Sequence, residues 1–152
     1  MKHYFFILSL IVFVGFSSCK KEDTQTQEEQ LTIDIGKIEN YLTEHDLEAN
    51  KTNSGLHYII TNVGTGSNPT LASNVTVQYT GKLLDGTVFD SGTATFPLTN
   101  VIQGWQEGIP LFKKGGRGKL FIPSYIGYGA SGSSSIPANS VLIFDIYLIS
   151  FN

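Results

Sequence analysis

Val77-Gln78-Tyr79-Thr80-Gly81-Lys82-Leu83-Leu84-Asp85-Gly86-Thr87-Val88-Phe89-Asp90-Ser91 is the stretch whose reading decides the fold. With Val75 before them, Val77 and Tyr79 alternate with Thr76, Gln78 and Thr80, the period of a strand with one buried and one wet face. The Asp85-Gly86 pair favours a tight hairpin turn, so Val88-Phe89-Asp90 returns beside the first strand. Upstream, His57–Val63 reads as a strand ended by the loop Gly64–Pro69. Downstream, a short strand is expected at Ala94–Leu98. Trp105–Phe112 reads as one short helix, with Trp105, Ile109 and Phe112 on one face and Gly108 and Pro110 limiting its length. Lys119–Ile122 and Val141–Phe151 supply the remaining strands. Strands gathered around one short helix imply an α+β domain, an antiparallel sheet curled over that helix.

The 152 residues and net charge of −3 leave room for this domain and a preceding segment. Residues 19–55 hold four Lys against nine Asp and Glu, whereas residues 56–152 hold five Lys and Arg against four acids. The near-neutral domain lacks the basic footprint of a nucleic-acid binder. Before it, Lys2 precedes the apolar run Tyr4–Phe16, too short for a spanning helix of about 20 residues and right for an export signal. Ser17-Ser18-Cys19 closes the run and charged residues follow. This arrangement resembles a bacterial lipoprotein signal, which implies removal of residues 1–18, acylation of Cys19 and a chain anchored to a bacterial membrane, facing the periplasm or cell surface. Cleavage after Ser17 without lipid, or an uncleaved anchor, are the alternatives. Residues 20–30 contain no apolar side chain, so residues 19–32 read as a flexible acidic tether. Over 33–54, Ile35, Ile38, Leu42 and His45, with Tyr41 beside them, mark an amphipathic helical arm that Asp34 can cap, and a linker. That arm can pack on the domain, pair with a second copy to make a homodimer, or act independently. The domain itself takes 55–152.

Most chemistry-bearing motifs fail. Gly127-Tyr128-Gly129-Ala130-Ser131-Gly132 has the letters of a dinucleotide fingerprint, but Ser133–Pro137 follows where a helix is needed. The single Cys excludes an internal disulfide and a Cys-based zinc cage, and neither His45 nor His57 has a ligand at metal spacing, so no metal or cofactor is expected. A Gly-x-Ser-x-Gly elbow is absent. What remains is an aromatic inventory placed beside glycines and polar residues, at Tyr79-Thr80-Gly81, Phe89-Asp90-Ser91, Gly104-Trp105 and Tyr128-Gly129.

At those places the chain closely resembles the FKBP-type peptidyl-prolyl cis-trans isomerases. The blocks are Val77–Ser91, Val101–Gly108, Ile122–Gly129 and Ile136–Asp145, in family order. The resemblance implies a five- to six-stranded antiparallel half-barrel sheet wrapped around the Trp105 helix. Trp105 would floor a shallow apolar pocket; Tyr79, Phe89, Phe96, Val101, Ile102 and Phe144 would wall it; Asp90, Tyr128 and the Ile136 loop would form its rim. Within that set, Tyr79, Phe89, Asp90, Tyr128 and Phe144 are the implied catalytic group, and Phe96, Val101, Ile102, Trp105 and Ile136 the substrate-binding one. The implied activity is X-Pro bond rotation in proline-containing polypeptides, assisting the folding of exported proteins. Binding of macrolide inhibitors in the same pocket is a further implication. The alternative is a binding or chaperone module with weak isomerase activity. Shortened stretches at 92–96 and 132–136 bear on substrate preference and macrolide affinity.

Overall fold

The computed structural model describes residues 21–152, with side chains from Gln27 onward; the expected signal at 1–18 and Cys19 lie outside the described residues. Helix α1 (Lys21–Glu44) leads into β1 (Asn50–Lys51), β2 (His57–Asn62), β3 (Asn74–Leu83) and β4 (Val88–Pro97). Helix α2 (Gln103–Gly108), β5 (Arg117–Ile122) and β6 (Leu142–Phe151) follow. The strands make one six-stranded sheet in the order β1-β2-β5-β6-β3-β4, antiparallel at every pairing. This is the expected open sheet around a short helix. Among the described residues no helix is long and apolar enough to cross a membrane.

The β3–β4 hairpin closes where Asp85-Gly86 places it, with Leu83 N–H donating to Thr87 C=O at 2.9 Å and Gly86 N–H to Leu83 C=O at 3.0 Å. β4 is one continuous strand where a separate Ala94–Leu98 piece was expected. Ser91, Gly92 and Thr93 conceal it in sequence because β4 is an edge strand, held by backbone pairing of Ser91–Thr93 with Gln78–Thr80 and little by side-chain burial. Near the turn, Gly81 opposes Asp90 while Lys82 opposes Val88. Phe89 is therefore an extra residue on the edge strand, a β-bulge.

The expected single helix at Trp105–Phe112 divides into α2 and a 3-10 turn at Ile109–Leu111. Pro110 has no N–H to continue the α-helical ladder, which accounts for the change of winding. A Cβ on Gly104 would lie 2.5 Å from Ile122 Cγ2, and one on Gly108 2.6 Å from Leu120 Cδ1. The two glycines thus let the backbone of α2 lie directly on β5. Val75, Val77, Leu120, Ile122, Leu142 and Leu148 point into the core between sheet and α2, with Trp105, Ile109 and Phe112 across from them.

The other face of β5 and β6 is also covered at one end. Ile38 and Leu42 of α1 are buried against Phe121, Val141 and Ile143, which explains the unbroken apolar run Val141–Phe144 of a strand with both faces dry. The arm therefore packs on its own domain. The helix starts earlier than Asp34, so residues 21–32, assigned by composition to a flexible tether, are helical. Lys, Glu and Gln are good helix formers, and Leu31 and Ile35 reach over Gly55. Asp34 is not a cap. It lies inside the helix, fully buried, with one carboxylate oxygen accepting the Ser124 backbone N–H at 2.8 Å. His45 is exposed and off the packed face; its ring stacks on Tyr41 at 3.9 Å.

Candidate active site

The concave side of the sheet and the start of α2 leave a cleft of about 500 Å³ whose lining contains all ten residues selected from the sequence. Trp105, only 4% exposed, forms its base. Tyr79 from β3 and Phe144 from β6 meet the Trp105 ring edge-on, each at 5.1 Å between centroids and at 83° and 82°. Phe96 from β4 tilts against it at 5.5 Å. Phe89 packs edge-to-face on Phe144 at 5.5 Å. Such edge contacts align ring quadrupoles and add rigidity beyond area burial. Gly81 makes this packing possible: a Cβ there would stand 2.6 Å from Phe89 Cε2 and 2.7 Å from Phe144 Cε1.

The polar groups sit at one rim. The Tyr79 hydroxyl donates to Asp90 Oδ2 at 2.9 Å. Burial chiefly, and then the Asp90 hydrogen bond and charge, push the Tyr79 phenol above its ordinary range, so it stays a donor through neutral pH. Asp90, opposite Gly81, keeps the inward register of Ala94 and Phe96, and the bulge brings Phe89 to the same cleft, although adjacent residues of a regular strand face opposite ways. Val101 and Ile102 occupy the segment entering α2. The Gln106 side chain holds that segment by donating to Val101 C=O at 2.8 Å, and the Ile102 C=O accepts the Trp105 N–H at 2.9 Å. Ile136 is buried because its loop folds on itself: Ser133 and Ile136 exchange backbone hydrogen bonds of 2.8 and 2.9 Å. Tyr128, 39% exposed, stands between the 3-10 turns Ser124–Ile126 and Gly129–Ser131. The Trp105 Nε1–H is buried with no hydrogen-bond partner among the described residues.

Ala94, Asn100 and Ser135 also line the cleft and were not anticipated. Ala94 was within reach of the alternation rule, two residues before Phe96 on one strand. Asn100 and Ser135 carry no local signal. A larger depression, about 660 Å³, lies over the polar outer face of the sheet. Its charged groups are already committed: Arg117 covers the Tyr147 ring at 3.6 Å, and Asp145 pairs with Lys119 and, at 2.8 Å, with Lys82. The aromatic cleft, with the buried Trp105 as its base, is the better chemical candidate. Among the described residues no group of three or more His, Cys, Asp or Glu is placed to hold a metal ion.

Comparison with known proteins agrees with this geometry. The family model described as FKBP-type peptidyl-prolyl cis-trans isomerase matches residues 66–149, more than half the chain. The isomerase FkpA of Aeromonas hydrophila is 50% identical over 103 residues, covering 64% of this chain and 38% of the relative. Outer membrane protein MIP of Legionella longbeachae is 46% identical over 103 residues, covering 64% and 44%. The chain thus spans less than half the length of these curated relatives. The crystal structure of FkpA from Escherichia coli superposes with a TM-score of 0.72 at 34% identity, covering 87% of this chain and 66% of that one.

Proposed function

The chain belongs to the FKBP-type peptidyl-prolyl cis-trans isomerases, and on that premise we propose that it catalyses X-Pro bond rotation in the aromatic cleft, acting on exported polypeptides. The observation that carries this reading is the set of rings held edge-on around Trp105 in a cleft of about 500 Å³, an apolar slot suited to a proline ring. Resonance keeps the peptide bond planar behind a barrier of ~18–20 kcal/mol. The planar amide is the more charge-separated form, so moving it from water to an apolar site weakens the resonance and favours the twisted form. No nucleophile is required. Trp105, Phe89, Phe96, Phe144, Val101 and Ile136 supply the apolar enclosure. The Ile102 backbone N–H and the Tyr128 hydroxyl bind substrate carbonyls, and Asp90 holds the Tyr79 hydroxyl in place. About 1.4 kcal/mol of differential stabilisation gives each tenfold in rate.

The test is an NMR exchange or protease-coupled assay on an X-Pro peptide with the full-length protein in detergent. Wild type is expected to accelerate isomerisation, and Phe89→Tyr and Asp90→Val to lower kcat/KM. A folded wild type that leaves the peptide at its solvent rate would overturn the proposal.

A coupled proposal concerns location: acylation of Cys19 anchors the chain to a bacterial membrane, with 1–18 removed. The Ser17-Ser18-Cys19 boundary supports it, as does a relative bearing the name outer membrane protein MIP. Mass spectrometry of the mature N-terminus decides it: a diacyl or triacyl mass on Cys19 is expected, and an unmodified Ser18 start refutes it.

A further inference from the structure

A carboxylate in the middle of a helix, fully buried, is costly unless its oxygens are bonded. Asp34 meets that condition through two neighbours on its own helix and one backbone group from outside it. Oδ2 accepts the Ser124 backbone N–H at 2.8 Å. Oδ1 accepts Gln30 Nε2 at 2.8 Å and lies 3.8 Å from Lys37 Nζ. Ser124 opens the 3-10 turn Ser124–Ile126, whose first N–H has no partner within the turn. A second tie fixes the same turn: the Tyr125 hydroxyl donates to Ser54 C=O at 2.8 Å. The turn closes through Gly127 N–H to Ser124 C=O at 2.9 Å and delivers the chain directly to Tyr128. Tyr128 is 39% exposed, so side-chain packing restrains it weakly and its place follows from the backbone before it.

From this chain of contacts we propose that Asp34, on α1 and outside the matched family region 66–149, is a positioning residue that sets the Tyr128 rim of the cleft. The inference rests on the reading of the cleft as an isomerase site with Tyr128 binding a substrate carbonyl. The N-terminal helix is then part of the site's support, and its docking through Ile38 and Leu42 brings the carboxylate to the turn.

The test compares wild type, Asp34→Ala and Asp34→Asn, each with Tyr128 and with Tyr128→Phe, in the full-length protein in detergent. An X-Pro peptide assay is read as kcat and KM separately, and amide NMR follows Ser124 and Tyr128. Asp34→Ala is expected to raise KM about three- to tenfold, the kinetic equivalent of about one hydrogen bond. Asp34→Asn, which keeps an acceptor oxygen, should recover part of it. In the Tyr128→Phe background the Asp34 effect should shrink to less than about twofold, because coupled residues are not additive. The Ser124 amide should exchange faster and the Tyr128 amide shift. A merely structural role predicts a different outcome: lower kcat from fewer folded molecules, unchanged KM, and equal losses in both backgrounds. That outcome, or Ser124 and Tyr128 amides unmoved by Asp34→Ala, overturns the proposal. If Asp34→Ala does not fold, Asp34→Asn carries the same comparisons. If wild type has no activity, the isomerase reading fails, and the NMR arm still decides whether Asp34 sets the position of Tyr128.

Discussion

Replacing Gly81 with alanine should damage the cleft far more than the fold. The added Cβ would lie 2.6 Å from Phe89 Cε2 and 2.7 Å from Phe144 Cε1, whereas comfortable carbon contacts begin at about 3.5 Å. The rings must therefore retreat by roughly 0.9 Å, or the β3 backbone must shift against both neighbours. Overpacking of this kind costs about 1–3 kcal/mol. Loss of glycine's freedom in the unfolded chain returns about 0.4–1 kcal/mol, so the net destabilisation is at most about 2.6 kcal/mol. Catalysis is more sensitive, because a displacement of about 1 Å in a positioning group can cost ~10²-fold in rate. Urea denaturation measures the first quantity and the X-Pro assay the second. We expect kcat/KM to fall at least about tenfold in a protein that still unfolds cooperatively. Gly92→Ala is the control, since a Cβ there meets nothing within 4 Å, and both its stability and its activity should stay near wild type. If Gly81→Ala retains full kcat/KM, the Phe89–Phe144 geometry does not set activity and the reasoning fails.

Other consequences concern charge and hydrogen bonding. His57 is buried, with Nδ1 at 2.9 Å from Gly55 C=O and Nε2 3.8 Å from Glu39 Oε1. Burial lowers its pKa, the nearby Lys51 charge adds to the lowering, and the Gly55 and Glu39 contacts oppose both. The unfolded chain then takes up the proton first, so stability is full above about pH 6.5 and falls as pH drops from there toward the lower folded value. Urea midpoints between pH 8 and 5 should show that decline in wild type and a flatter profile in His57→Asn; the same slope in both would refute it. At Asp145, burial raises the pKa, but hydrogen bonds and charge from Lys119 and Lys82 outweigh it and hold the carboxyl below its ordinary range. Its contribution is present above the usual carboxylate pKa and disappears as pH falls below it. The group is partly exposed, so Asp145→Asn should cost only about 0.5–1 kcal/mol, with most of the difference from wild type removed by high salt. Tyr79→Phe removes the donor to Asp90 and should reduce kcat a few-fold with a stability change below about 1.5 kcal/mol; unchanged kcat would exclude a role for the pair in holding the rim.

Packing on both faces of part of the sheet explains why the arm was hard to judge from residues alone. The sequence places Ile38 and Leu42 on one helical face, but the surface they cover, Phe121 and Ile143, is supplied by strands about 80 to 100 residues later. Burial of Asp34 ran against its polar character, because its partner is a backbone N–H at Ser124, a group that no side-chain pattern advertises. The Trp105–Phe112 segment reads from the sequence as one helix, and its split rests on Pro110, whose missing N–H the sequence does display.

The hairpin around Asp85-Gly86 and the inward set Val75, Val77 and Tyr79 followed from the sequence alone, since turn chemistry and strand periodicity act between near neighbours; the four ordered blocks around the aromatics pointed to the cleft only through the family resemblance they carry. Tertiary structure decided what depends on strand partners. Strict alternation sends Phe89 and Asp90 to opposite faces, yet the register against β3 makes Phe89 an extra residue, and both line one cleft. Register is a property of two strands together with what covers them, and it selects which side chains line the cleft.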